Sequence, residues 1–125
     1  MPHRRALLLE DDVALRDLLL EAFAGEDIDC RVCENIGEVR QAASRKEADI
    51  VVADFWGGSQ RILPDSDRDE IRELGSYLPV ILLTGRTWAA ETSAEELGAH
   101  ALIRKPFDLN DLLRAVEEAV VRPQS

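Results

Sequence analysis

The stretch Ile50-Val51-Val52-Ala53-Asp54 decides the fold. Four apolar residues in a row, mostly β-branched, leave no polar face for water. The run therefore predicts a central parallel strand buried on both sides. It breaks off at an acid, Asp54. The segment Phe55–Asp67 that follows holds Gly57, Gly58 and Pro64 and reads as a loop or irregular turn.

Working outward, the same rhythm recurs on both sides. A first strand is predicted over Arg5–Glu10, with Ala6, Leu7, Leu8 and Leu9 as its apolar run. A helix follows over Val13–Ala24, where Leu15, Leu18, Leu19, Ala22 and Phe23 repeat at helical spacing and Gly25 offers a stop. The second strand, Asp29–Cys33, is the weakest in apolar content and reads as an edge. A second helix spans Ile36–Arg45, with Val39, Ala42 and Ala43 on its inner face.

Beyond the loop, a third helix is predicted over Asp67–Leu74, with Ile71 and Leu74 turned inward. A strand over Val80–Leu83 starts after Pro79 and ends at Thr84. A shorter helical piece, Ala89–Leu97, stops at Gly98. A strand over Ala101–Ile103 precedes a last helix that begins near Asp108, a good N-cap, and carries Leu109, Leu112, Leu113, Val116 and Val120. Strands alternating with helices in this way specify a doubly wound α/β sandwich with a mostly parallel sheet.

Bulk properties fit one domain over residues 1–125: hydrophobic residues make up 46% and charged residues 32%. The apolar runs are too short to span a bilayer, and acids follow the N-terminal apolar run at once, unlike a secretory signal. A cytoplasmic protein without membrane attachment is expected. The net charge of −10 argues against direct contact with nucleic acid. Cys30 and Cys33 stand three apart on a strand, where side chains point to opposite faces, so they read as packed thiols rather than a redox or zinc pair.

The strand ends carry the chemistry. The first ends in Glu10, Asp11 and Asp12, the third in Asp54, the fourth in Thr84 and the fifth in Lys105. In open parallel sheets, ligands bind beyond the carboxyl ends of the strands, where the winding reverses. Carboxylates gathered there repel one another unless a cation offsets them, and oxygen-only ligands favour Mg²⁺. With no Ser, Cys or His at a strand end in the pocket, the natural nucleophile is a carboxylate, as in aspartyl-phosphate chemistry. Asp12 also stands where a helix N-cap is wanted, and capping is its expected role.

At these residues the chain resembles the response-regulator receiver family of two-component signalling. LLLEDD resembles the acidic pair after the first strand, VVADFW the segment with the phosphorylated Asp, LLTG the Thr position, and RKPF the Lys–Pro–Phe turn. The resemblance covers essentially the whole chain. It implies a (βα)5 flavodoxin-like sandwich with strand order 2-1-3-4-5. It implies that Asp54 is the phosphoacceptor and that Asp11, Asp54 and the Trp56 carbonyl ligate Mg²⁺, with Glu10 helping through water. Thr84 and Lys105 are then the phosphoryl-binding residues, and the Lys105–Pro106 bond is cis.

The implied partners are a histidine kinase or phosphotransfer protein as donor, and an effector or second copy at the face of helix 4, strand 5 and helix 5. The domain assists its own phosphorylation and hydrolysis without being a turnover enzyme. It is either a stand-alone regulator or a receiver of a larger protein. Three departures from the family lie on the regulatory side: Leu102 replaces the usual Tyr or Phe, the loop after Asp54 has Gly57–Gly58 in place of Pro, and the Thr84–Lys105 interval is slightly short. Leu102 motivates an alternative, a receiver-like interaction module that works without phosphorylation. Trp56 either shields the phosphoryl group or anchors the loop, and Trp88 either packs or serves an interface.

Overall fold

Side chains alternate across a strand, and here the alternation fills two cores, one on each side of a single sheet. The computed structural model describes residues 4–56, 62–85, 89 and 92–121. Its elements are β1 (Arg4–Leu9), α1 (Val13–Gly25), β2 (Ile28–Val32), α2 (Ile36–Ser44), β3 (Ile50–Ala53), α3 (Asp65–Tyr77), β4 (Val80–Thr84), α4 (Ala94–Leu97), β5 (Ala101–Arg104) and α5 (Leu109–Val121). The strands form one sheet in the order β2-β1-β3-β4-β5, and every pair is parallel. The expected doubly wound sandwich is the observed one.

Leu7, Leu9, Val51, Ala53, Val80 and Leu82 point to one face and meet Val39, Ala42, Ile71, Leu74 and Leu97 from α2, α3 and α4. Ala6, Leu8, Ile50, Val52, Ile81 and Leu83 point to the other face and meet Leu19 and Phe23 of α1 and Leu112 and Val116 of α5. Every residue of β3 and β4 is buried, as the apolar runs required. Cys33 belongs to the first core and Cys30 packs against the second, so the sheet separates the two thiols, and both are free.

Most boundaries agree with the sequence reading to within a residue, and the larger differences are at the ends of helices. Helix α3 begins at Asp65, before the expected Asp67, and continues to Tyr77. Pro64 supplies the extended residue before it, and Asp65 and Asp67 lie in the first turn, where the helix dipole favours acids. Gly25 lies within α1 rather than beyond it; the left-handed residue after that helix is Asp27, with φ 58°. Helix α4 occupies only Ala94–Leu97 of the expected Ala89–Leu97. The Ser93 hydroxyl caps it, accepting from the Glu96 N–H at 3.2 Å, and Gly98 ends it with φ 73°. Trp88 and the Gly57–Gly58 pair lie outside the described residues.

Gly98 is also where α3 touches α4. A Cβ on Gly75 would stand 2.1 Å from the Gly98 carbonyl oxygen, so glycine is required in the middle of α3 for the backbones to approach. The Arg72 guanidinium donates to the Glu96 carbonyl at 2.6 Å across the same junction.

Candidate functional site

Backbone pairing brings the acids together before any side chain takes part. Leu9 lies opposite Ala53 in the β1–β3 register, and the Asp54 N–H donates to the Leu9 carbonyl at 2.9 Å. Glu10 and Asp54 are the next residues of the two central strands. The winding reverses here, since β1 leads to a helix on one face and β3 to a helix on the other, which opens the crevice in which such sheets bind ligands. On the far side, Thr84 pairs with Arg104, and the Lys105 N–H donates to the Thr84 carbonyl at 2.8 Å. That bond sets Lys105 at the same end of the sheet.

Lys105 reaches back across the crevice. Its Nζ donates to Asp54 Oδ2 at 2.6 Å and to Glu10 Oε1 at 2.8 Å, so one ammonium bridges two carboxylates 44 residues apart in the chain and far from itself. The Glu10 side chain is fully buried and that of Asp54 only 10% exposed, which makes this pairing far less screened than a surface salt bridge. The Asp12 N–H also points at Glu10, at 3.4 Å from Oε2. Thr84 is buried at the end of β4, and Asp11 is exposed at the β1–α1 turn. Asp12 is the cap of α1: its Oδ1 accepts the Leu15 N–H at 3.1 Å. The Lys105–Pro106 bond is cis.

Burial is the dominant influence on Glu10 and pushes its carboxyl above the ordinary range. The Lys105 hydrogen bond and charge and the Asp12 N–H pull it down without cancelling that rise. For Lys105, burial works against the charged form, but the hydrogen bonds and charges of Asp54 and Glu10 outweigh it and raise the ammonium above its usual value. The site therefore holds a firmly protonated lysine against an acidic pair.

Trp56 resolves toward anchoring. It is 2% exposed within the core on the α3 side, and its Nε1–H donates to Glu70 Oε1 at 2.8 Å. Phe55 meets its ring edge-on at 5.6 Å and is itself 43% exposed. Glu70 was missed by sequence reasoning, because a contact between a loop and the second turn of the next helix leaves no local signal. Leu102, the departure on β5, is half-buried and packs against the core on the α2–α3–α4 side.

The acidic donors at this end of the sheet are all oxygens, the carboxylates of Glu10, Asp11 and Asp54. That set fits a small hard cation such as Mg²⁺ and would not suit zinc. Among the described residues no three side chains of metal-binding type are drawn into one cluster, and the cation between Glu10 and Asp54 is the Lys105 ammonium.

Residues 6–117 match the response regulator receiver domain family. The DNA-binding transcriptional regulator NtrC of Escherichia coli is 30% identical over 118 residues, covering 90% of this chain and 24% of that protein. Its Bradyrhizobium namesake is 28% identical, covering 99% of this chain and 26% of the relative. The chain thus spans about a quarter of the length of these relatives. Among solved structures, the beryllofluoride-activated NtrC receiver domain superposes with a TM-score of 0.66 at 26% identity over 100% of both chains. A structure described as a transiently phosphorylated switch in bacterial signal transduction gives 0.74 at 28%, again over 100% of both.

Proposed function

This chain belongs to the response regulator receiver family, and on that premise we propose that it takes a phosphoryl group onto Asp54 in a Mg²⁺-dependent reaction. The observation that carries the reading is the bridge from Lys105 Nζ to Asp54 at 2.6 Å and Glu10 at 2.8 Å, at the carboxyl ends of the two central strands. The donor is a histidine kinase or a phosphotransfer protein: the phosphorus–nitrogen bond of a phosphohistidine breaks as a phosphorus–oxygen bond forms on the Asp54 carboxylate.

Phosphoryl transfer asks the protein for positioning and for positive charge near the equatorial oxygens. Lys105 supplies that charge from a short tether, and Thr84 supplies a hydroxyl donor at the end of β4. Asp11 and Asp54, with the Trp56 carbonyl and Glu10 in support, would hold Mg²⁺, which would supply positive charge against the acids and the incoming group. The domain assists its own phosphorylation and later hydrolysis and is not a turnover enzyme. The NtrC relatives are named as DNA-binding regulators. The −10 charge of this chain argues against direct DNA contact by this domain. No helix among the described residues is long and apolar enough to cross a membrane.

The test is labelling by radioactive acetyl phosphate with and without Mg²⁺. Wild type should label only with the ion, and Asp54→Asn should not label. An unlabelled wild type in the presence of Mg²⁺, or equal labelling of the variant, refutes the reading.

A further inference from the structure

Resting on that reading of the site, we propose that Glu70 is a positioning residue for the Mg²⁺ site. By accepting the indole N–H of Trp56, it holds the backbone just after Asp54 in place for the cation.

Trp56 is the second residue after Asp54, and on the proposed reading its backbone carbonyl would be one of the Mg²⁺ ligands. Its side chain lies in the core, where it is 2% exposed. An indole nitrogen is a donor only, so its direction is fixed by where an acceptor lies. That acceptor is Glu70 Oε1 at 2.8 Å, in the second turn of α3. Because α3 is seated on the core by Ile71 and Leu74, Glu70 is carried on a rigid element. Its other oxygen lies 3.9 Å from Arg40 of α2, whose guanidinium also binds Glu73 at 2.9 Å. The carboxylate is thereby drawn from both sides, toward Trp56 and toward Arg40.

The consequence follows from how metal sites are tuned. Partners that orient a ligand without touching the ion are worth about 10- to 100-fold in metal affinity. Here the oriented ligand is a backbone carbonyl, and the lever on it is its own residue's side chain. Nothing in the local sequence marks Glu70 for this, since it acts across the loop from the following helix. The tether also explains why a bulky aromatic at this position faces inward rather than over Asp54.

The experiment uses the full chain in a Trp88→Phe background, which leaves Trp56 as the sole tryptophan of the two. Mg²⁺ is titrated while Trp56 emission and calorimetric heat are recorded together. Glu70→Ala should bind Mg²⁺ about 10- to 100-fold more weakly than the parent, with Trp56 emission shifted to the red before any ion is added. Glu70→Gln keeps the acceptor oxygen and should recover most of the affinity and the parent emission. Trp56→Phe, read by calorimetry, should weaken binding as Glu70→Ala does, and combining the two should add nothing further.

Parent-like affinity in Glu70→Ala overturns the proposal. If that variant fails to fold, parent-like affinity in Trp56→Phe overturns it instead. A parent that binds no Mg²⁺ at all sinks the reading of the site and this inference with it, so the two failures are told apart by the parent titration.

Discussion

Replacing Lys105 by Met tests the electrostatics of the site with little change in shape, because the aliphatic stem is kept and only the ammonium is lost. Two contacts disappear, at 2.6 Å to Asp54 and 2.8 Å to Glu10. Unit charges about 4 Å apart attract by roughly 4 kcal/mol at an effective dielectric of about 20. The loss is partly offset because the lysine no longer has to be desolvated. Breaking one partner out of a buried pair costs about 3–5 kcal/mol. Lys105 is 24% exposed, which lowers the figure, and a loss of about 2–4 kcal/mol near pH 7 is expected.

The pH dependence makes the test sharper. Glu10 is raised above the ordinary 4.5 by burial, with Lys105 among the influences that hold it down. A carboxyl raised in the folded state contributes stability that is present at low pH and lost as pH rises through its folded value. Removing Lys105 raises it further, so the folded variant carries a proton on Glu10 over a wider window above 4.5 than wild type does. Within that window the variant should regain up to about 1.4 kcal/mol for each pH unit lowered, relative to wild type. Urea denaturation of both proteins near pH 7 and near pH 5.5 measures this directly. A gap under about 0.5 kcal/mol near pH 7, or one that widens as pH falls, would refute the ion-pair account.

Other consequences are independent of phosphorylation. Gly75→Ala gains about 1 kcal/mol of helix propensity, but its Cβ would lie 2.1 Å from the Gly98 carbonyl oxygen. Overpacking at about 1–3 kcal/mol should win, and a thermal midpoint equal to or above wild type would contradict the α3–α4 contact. Burial pushes the Cys30 thiol up to about 12 and raises Cys33 as well. Near pH 8 only about one Cys30 in ten thousand is then thiolate, so alkylation of the folded protein should be slow until denaturant is added. Rapid labelling of the native chain, or an internal disulfide under mild oxidant, would show that the sheet does not separate the two thiols.

Much of this molecule is legible in its sequence because hydrophobic period and residue chemistry are local properties. The run Ile50–Ala53 could only be a strand buried on both faces, and β3 is one. Asp12 stood at the place of an N-cap and caps α1. Boundaries were less legible where the deciding interaction is not local. Helix α3 starts early because Pro64 and the acids after it favour a helix start that the loop-like composition of Phe55–Asp67 obscured. Helix α4 is a single turn among the described residues although its sequence pattern is longer.

The sequence alone determined that acids, a threonine and a lysine would meet at the carboxyl ends of parallel strands, because strand alternation and winding direction leave them nowhere else. Only the tertiary structure decided how they meet. Lys105 divides itself between Asp54 and Glu10, and Trp56 turns away from the acids toward Glu70. These choices depend on distances across the sheet and on which buried groups find partners, and no spacing along the chain encodes either. For Asp54 the physical reason is plain: a carboxylate 10% exposed at the end of a central strand needs a cation brought by another strand, and that cation is Lys105.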